Sequence, residues 1–146
     1  MRILAVDPGT VRVGLALSDE GERLATPLAT LRPGRDLGAR VVVAAREAGA
    51  ELVVVGLPRR LDGSEGPEAL GARGLAAAVV AAGLPAKLWD ERFTSVMAEA
   101  ALREARPRRG RKAAAGRRAD TDRVAAAVLL QSFLDSRRPS GSSSPV

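Results

Sequence analysis

The stretch ILAVDPGTVRVGLALS, residues 3–18, decides how the rest of the chain is read. Ile3 to Val6 is a short apolar run that stops at Asp7, and Pro8-Gly9 behind it is turn chemistry. From Val11 the pattern alternates, with Val11, Val13, Leu15 and Leu17 on one face and Arg12, Gly14, Ala16 and Ser18 on the other. That period of two predicts a half-buried strand folded back onto the first across the turn. LATPLATL, residues 24–31, continues the meander as a third strand. Pro27 cannot donate to a ladder, which places this strand at an edge or a bulge.

Outward from the meander the period changes. Leu37, Val41, Ala44, Ala45 and Ala48 make a helical stripe over 36–48, with Asp36 as its N-cap. Leu52 to Val55 is a continuous apolar run, the pattern of a strand buried on both faces. After a Gly/Pro/Asp-rich loop over 56–66, Pro67 suits the first position of a helix and Gly83 its stop. Ala86 to Trp89 predicts a short strand that runs into Asp90-Glu91, and Thr94 caps a helix over 95–105. A basic loop and a last helix from 121 to 136 complete the order. This β-β-β-α-β-α-β-α-α sequence predicts an α/β fold: a mixed central sheet, a three-strand meander plus parallel strands, flanked by helices on both faces. The 146 residues make one domain over 1–136, followed by a disordered Ser/Pro/Gly-rich tail over 137–146.

Composition narrows the chemistry. His, Cys and Tyr are all absent. Histidine bases, thiol nucleophiles, disulfides, iron–sulfur clusters and His-ligated zinc are therefore excluded. Any catalysis must use carboxylates, Ser/Thr, Lys or Arg, with a metal as the natural helper. The 23 basic and 17 acidic residues leave a net charge of +6. Arg106, Arg108, Arg109, Arg111, Lys112, Arg117 and Arg118 supply it with no acid among them; without them the balance is 16 basic against 17 acidic. A basic stretch so confined points to a polyanion met at one place, through salt-dependent phosphate contacts. The first residues read as a strand rather than a signal peptide, and no apolar run approaches the roughly 18 residues of a membrane span, so a cytoplasmic protein with no membrane partner is expected.

Three carboxylates stand out by position. Asp7 closes the first strand and Glu91 follows the 86–89 strand, at the end of the sheet where α/β folds bind ligands. Asp122, in the first turn of the last helix, shares a face with Ala125, Ala126, Leu129 and Phe133. Acids gathered against a packed face are costly unless something cationic meets them, and oxygen-only ligation suits Mg²⁺ or Mn²⁺. Each also has a plain structural use: Asp7 in a turn, Glu91 paired with Arg92 or Lys87, Asp122 as a charge at a helix N-terminus. Asp120 reads as a cap, and Asp19, Asp62 and Asp90 as solvated or turn-forming. Trp89 and Phe93 flank Glu91 and read as core, as does Phe133.

Taken together, Asp7-Pro-Gly-Thr10, Arg12-Val-Gly14-Leu-Ala16, Val55-Gly-Leu-Pro58 with Asp62-Gly-Ser64, Asp90-Glu91-Arg92-Phe-Thr94, and Asp122 followed by Ala125-Ala126 and Leu129-Leu130-Gln131 resemble the YqgF/RuvX family of RNase H-like nucleases. The likeness runs in order over residues 1–136. It implies an RNase H-like fold and a divalent-metal site whose acidic triad falls on Asp7, Glu91 and Asp122. It also implies 5′-end maturation of pre-16S ribosomal RNA in ribosome biogenesis or, by similarity to RuvC, Holliday junction resolution. The 106–118 segment departs from the family pattern, being richer in Arg and poorer in Lys.

The corresponding mechanism is phosphodiester hydrolysis with two cations about 4 Å apart, Asp7 bridging them and Glu91 and Asp122 completing one site each. Thr10, Arg92 and Thr94 are expected in support. Nucleic acid is the expected partner, RNA ahead of DNA, with the chain acting as a monomer or a homodimer. Two other readings stay open: a non-catalytic nucleic-acid-binding factor, and an ATPase-like phosphate loop at Asp7–Thr10.

Overall fold

A computed structural model describes residues 1–9, 11–94 and 114–137; the side chains at 93, 94 and 114–120 lie outside that description. The strands are β1 (Arg2–Asp7), β2 (Val13–Ser18), β3 (Ala25–Leu31), β4 (Ala50–Leu57) and β5 (Ala86–Asp90). The helices are α1 (Leu37–Glu47), α2 (Pro67–Ala81) and α3 (Ala114–Arg137), with a 3₁₀ turn at Glu91–Thr94. The sheet order is β3-β2-β1-β4-β5. β1, β2 and β3 pair antiparallel, and β4 and β5 continue in parallel from β1. β3 is one of the two edge strands, and its register slips at Pro27, where Leu15 faces Ala29 and Ala16 faces Pro27. The proline therefore sits at a bulge on an edge, where its missing N–H is tolerated.

The two faces of the sheet are built differently. Leu4, Val6, Val13, Leu15, Val53 and Val55 pack against Val41 and Val42 of α1 and Leu75 and Val79 of α2. Ile3, Ala5, Ala16, Leu52 and Val54 pack against Ala126, Leu129, Leu130, Phe133 and Leu134 of α3. Small side chains on the second face let one helix lie close to the sheet. Trp89 closes that layer, its ring meeting Phe133 edge to face at 5.5 Å and its Nε1–H donating to Ser132 Oγ at 3.3 Å. Both aromatics are thus used in packing, as their positions in the sequence imply.

Several expectations need correction. β2 is buried on both faces rather than one, because α3 covers the face that carries Gly14 and Ala16; Val11 lies outside the strand and is 70% exposed. Gly83 does stop α2 as expected: it follows the Ala82 cap at φ +115, and the Gly83 and Leu84 N–H groups donate to Val80 and Val79. Asp36 precedes α1 without a side-chain cap bond and is held instead by Arg40 Nε at 3.0 Å. The last helix begins at Ala114 rather than 121, since Ala and Arg are strong helix formers. Asp122 consequently lies in the third turn and Asp120 in the helix interior, so neither serves as an N-terminal cap or charge. Arg117 and Arg118 are helical rather than in a loop, and α3 runs through Arg137, whose Nε pairs with Glu22 at 3.0 Å. The helix expected over 95–105 and residues 138–146 of the tail lie outside the described residues. Among those described, no helix is long and apolar enough to cross a membrane.

Candidate active site

The register of β1 on β2 sets Asp7 opposite Gly14. Ile3 and Ala5 lie under α3, and the strand's period of two carries Asp7 to that same face. A Cβ on Gly14 would run into the carbonyl of Asp122, 2.8 Å from its carbon. Bare backbone at Gly14 is therefore what allows α3 to settle with Asp122 close to Asp7. Arg12 Nη1 stands 4.0 Å from Asp122 Oδ2 across the same gap.

Glu91 arrives from the far side. β4 lies between β1 and β5, so a residue just past β5 must cross a strand to reach Asp7. It crosses over Gly56, where a Cβ would stand 3.1 Å from Glu91 Cδ, 3.2 Å from Glu91 Cγ and 2.5 Å from Leu129 Cδ1. Gly56→Ala should overpack this crossing, costing about 1–3 kcal/mol of stability in urea unfolding and moving Glu91 off Asp7. Gly14 and Gly56 were not among the site residues expected from the sequence. Their available signal was a glycine inside an otherwise buried apolar strand, which marks a close approach.

The carboxyls of Glu91 and Asp7 are hydrogen-bonded to each other. Burial first, then the Asp7 charge and the bond to Asp7, pushes Glu91 up to about 8, so at neutral pH it keeps its proton and donates it to Asp7. Burial also raises Asp7, the Glu91 hydrogen bond opposes that rise, and the charge of Asp122 adds to it. Two acids thus share one proton, with Asp122 near enough for Asp7 to feel its charge and Asp90 near enough for Glu91 to feel its own. Among the described residues no three carboxylates close around one point. Asp7 and Glu91 touch, while Asp122 is held off by Arg12.

The donor set nevertheless fits a hard divalent cation. It is all oxygen, and the shared proton occupies the place where a cation would relieve the same repulsion. Asp90 is turn-forming, as expected, and is in addition paired with two arginines. Its carboxylate accepts the Arg92 guanidinium (Nη2 at 2.7 Å) and the Arg92 backbone N–H at 2.9 Å, and Arg59 Nη1 stands 3.7 Å away. The Arg92 hydrogen bond holds Asp90 below the usual carboxylate range. Arg92 therefore braces the turn that presents Glu91. Asp19 and Asp62 do form turns, accepting backbone N–H groups from Arg23 and Leu24 and from Ser64 respectively.

Of the remaining expected site residues, Thr10, Arg106, Arg108, Arg109, Arg111 and Lys112 lie outside the described residues. The same holds for the side chains of Thr94, Arg117 and Arg118.

A mixed five-strand sheet carrying carboxylates just at the C-terminal ends of β1 and β5, with a long helix across one face, is the RNase H-like class of protein. Two solved structures share this fold. The chain aligns with T. thermophilus RuvC in complex with Holliday junction substrate at TM-score 0.53 and 18% identity, covering 94% of this chain and 96% of that one. It aligns with Fowlpox virus resolvase in complex with Holliday junction DNA at TM-score 0.56 and 12% identity, covering 93% and 98%. At such identities the likeness speaks for the fold alone. The chain belongs to the RuvX family, whose model, described as Holliday junction resolvase, matches residues 1–136. Relatives provisionally named pre-16S rRNA nucleases are much nearer in sequence. The one from Nocardioides sp. is 45% identical over 145 residues, covering 94% of this chain and 90% of the relative. That from Anaeromyxobacter dehalogenans strain 2CP-C is 46% identical over 143 residues, covering 95% and 100%.

Proposed function

We propose that this protein is a divalent-metal-dependent nuclease that hydrolyses phosphodiester bonds of RNA in the 5′-end processing of pre-16S rRNA, a cytoplasmic step of ribosome biogenesis. The observation that carries the reading is the proton-sharing pair of Asp7 and Glu91, brought together across Gly56 with Asp122 alongside. A pure binding factor gains nothing from buried acids set where a polyanion must lie. The RNA assignment is supported by the names of relatives at 45–46% identity.

Asp7, Glu91 and Asp122 would hold Mg²⁺ or Mn²⁺, which supplies a water of lowered pKa and relief of charge at the phosphate. The chain's own part begins with Glu91, which must release the proton it shares with Asp7 before either carboxylate can ligate fully. Asp122 must let go of Arg12, leaving that guanidinium at the rim to meet a phosphate oxygen. The Asp90–Arg92 fork keeps the Glu91 turn in place through these exchanges. The cations of 106–118 hold the flanking phosphates without reading sequence. Replacing Arg108, Arg109, Arg111 and Lys112 by Ala should weaken RNA binding. It should also reduce the slope of log K against log salt by about 3, at roughly 0.7 per phosphate for a single strand, measured by anisotropy titration.

The family description favours a second substrate, the four-way DNA junction. Resolution would need a symmetric dimer bearing two sites. One assay separates the readings: end-labelled single-stranded RNA, single-stranded DNA and a four-way junction are incubated with Mg²⁺ or Mn²⁺. Cutting of RNA with the junction intact supports rRNA processing, and paired symmetric junction cuts support resolution. No cutting of any substrate sinks the nuclease reading.

A further inference from the structure

We propose that the cleft beside the carboxylate pair, on the side of the sheet that carries α1 and α2, receives an unstacked nucleobase of the substrate strand next to the bond that is cut. The inference rests on the nucleic-acid reading above and goes beyond it by giving the base its own pocket. The cleft has a volume of about 610 Å³, within the range of ligand sites. Pro8 and Gly9, which directly follow Asp7, form one wall; Pro58, just past the end of β4, and Leu75 of α2 form others. Glu91 also lines it, so the residue whose carboxyl touches Asp7 borders the cleft as well.

That continuity selects the occupant. A phosphate seated at Asp7 and Glu91 has its base one ribose away, and single-stranded nucleic acid is read by splaying such bases into pockets. Apolar walls with flat proline faces suit the faces of a base and not a charged phosphate. Besides Glu91, Glu68 is the lining residue among those described that carries a polar side chain. Its carboxylate, at the first turn of α2, can accept from an exocyclic amino group, which favours an amino-bearing base over uracil.

The sequence offers a clean way to close the cleft. Gly71 lines it, and a Cβ there meets nothing within 4 Å. Gly74, three residues along the same helix, is equally open and does not line the cleft. Gly71→Leu, whose Cβ enters open space at the cleft lining, is the variant chosen to narrow the cleft, and Gly74→Leu is the matched control; both replace a helical glycine with a better helix former.

The test uses the full chain with Ca²⁺ in place of Mg²⁺ or Mn²⁺, under conditions in which the RNA stays uncut, and single-stranded RNA carrying 2-aminopurine at successive positions. This base brightens when unstacked, and among the described residues no aromatic side chain lines the cleft to quench it. The expected result is brightening at one position, retained in Gly74→Leu and lost in Gly71→Leu, while anisotropy affinities of all three proteins stay within about threefold because phosphate contacts dominate. Brightening at no position, or brightening that survives Gly71→Leu, overturns the proposal even where wild-type protein cuts RNA with metal. Brightening lost in Gly71→Leu from a protein that cuts nothing with any metal would leave the pocket standing and remove the nuclease.

Discussion

Asp7→Asn is expected to abolish metal-dependent cleavage, by at least about a thousandfold or roughly 4 kcal/mol of transition-state stabilisation, while RNA affinity stays within about threefold of wild type. Asp7 meets both other acids: it accepts the proton of Glu91 and feels the charge of Asp122. The amide keeps the volume and a hydrogen bond to Glu91, but it removes the charge that a cation would neutralise. Binding depends on phosphate contacts that this change leaves alone, and losing a negative charge beside a polyanion can only help them. Cleavage rates with Mg²⁺ or Mn²⁺ and anisotropy titrations in EDTA check the two halves separately. Cleavage by Asp7→Asn within tenfold of wild type would remove Asp7 from the reaction.

Glu91→Gln should likewise abolish cleavage and, at the same time, make the metal-free protein more stable above neutral pH. Unfolded, the Glu91 carboxyl titrates near 4.5; folded, near about 8, chiefly because it is buried. Between those values the native state holds a proton that the unfolded chain has lost. The contribution of this group is fully present below its unfolded pKa and is lost as pH rises through about 8. Asp7, also raised, acts in the same direction. Urea unfolding in EDTA should show stability falling by about 3 kcal/mol between pH 5 and pH 9, within the limit of 1.4 kcal/mol per pKa unit. Measuring above pH 5 avoids the acid region, where Asp19, Asp62 and Asp90, all lowered, contribute with the opposite sign. Gln keeps a donor toward Asp7 but does not titrate, so its pH profile should be flatter and its stability at pH 8 higher than wild type. Added Mg²⁺ or Mn²⁺ should restore wild-type stability at pH 8 and do little for Glu91→Gln. A flat wild-type profile would show that the two carboxyls do not share a proton.

These two experiments address a conflict already visible in the packing. The site stores repulsion in a metal-free fold, and the residues that do so come from the end of β1, the turn after β5 and α3. Stability surrendered at a site is a common cost of function.

Much of the architecture was legible in the chain. The change from a period of two to a helical stripe after residue 31, the proline that marks β3 as an edge, and Pro67 at the head of α2 are local signals, and the structure follows them. The candidate acids could also be picked out, since Asp7 and Glu91 close strands and Asp122 lies on an apolar helix face. The start of α3 was not legible, because a run of Arg and Ala serves equally as a solvated loop or as helix. The burial of β2 on both faces was missed for a related reason: Gly14 and Ala16 look like an exposed face until a helix is laid over them.

The sequence by itself determined the order of elements, the confinement of positive charge to 106–118 and the exclusion of histidine and thiol chemistry, because composition, periodicity and turn preference act within a few residues. Only the tertiary structure decided that Glu91 crosses β4 over Gly56 to share a proton with Asp7, and that Asp122 rests on Gly14 with Arg12 against it. Those contacts depend on strand order and on how closely a helix can approach bare backbone, and such distances arise between residues far apart in the chain.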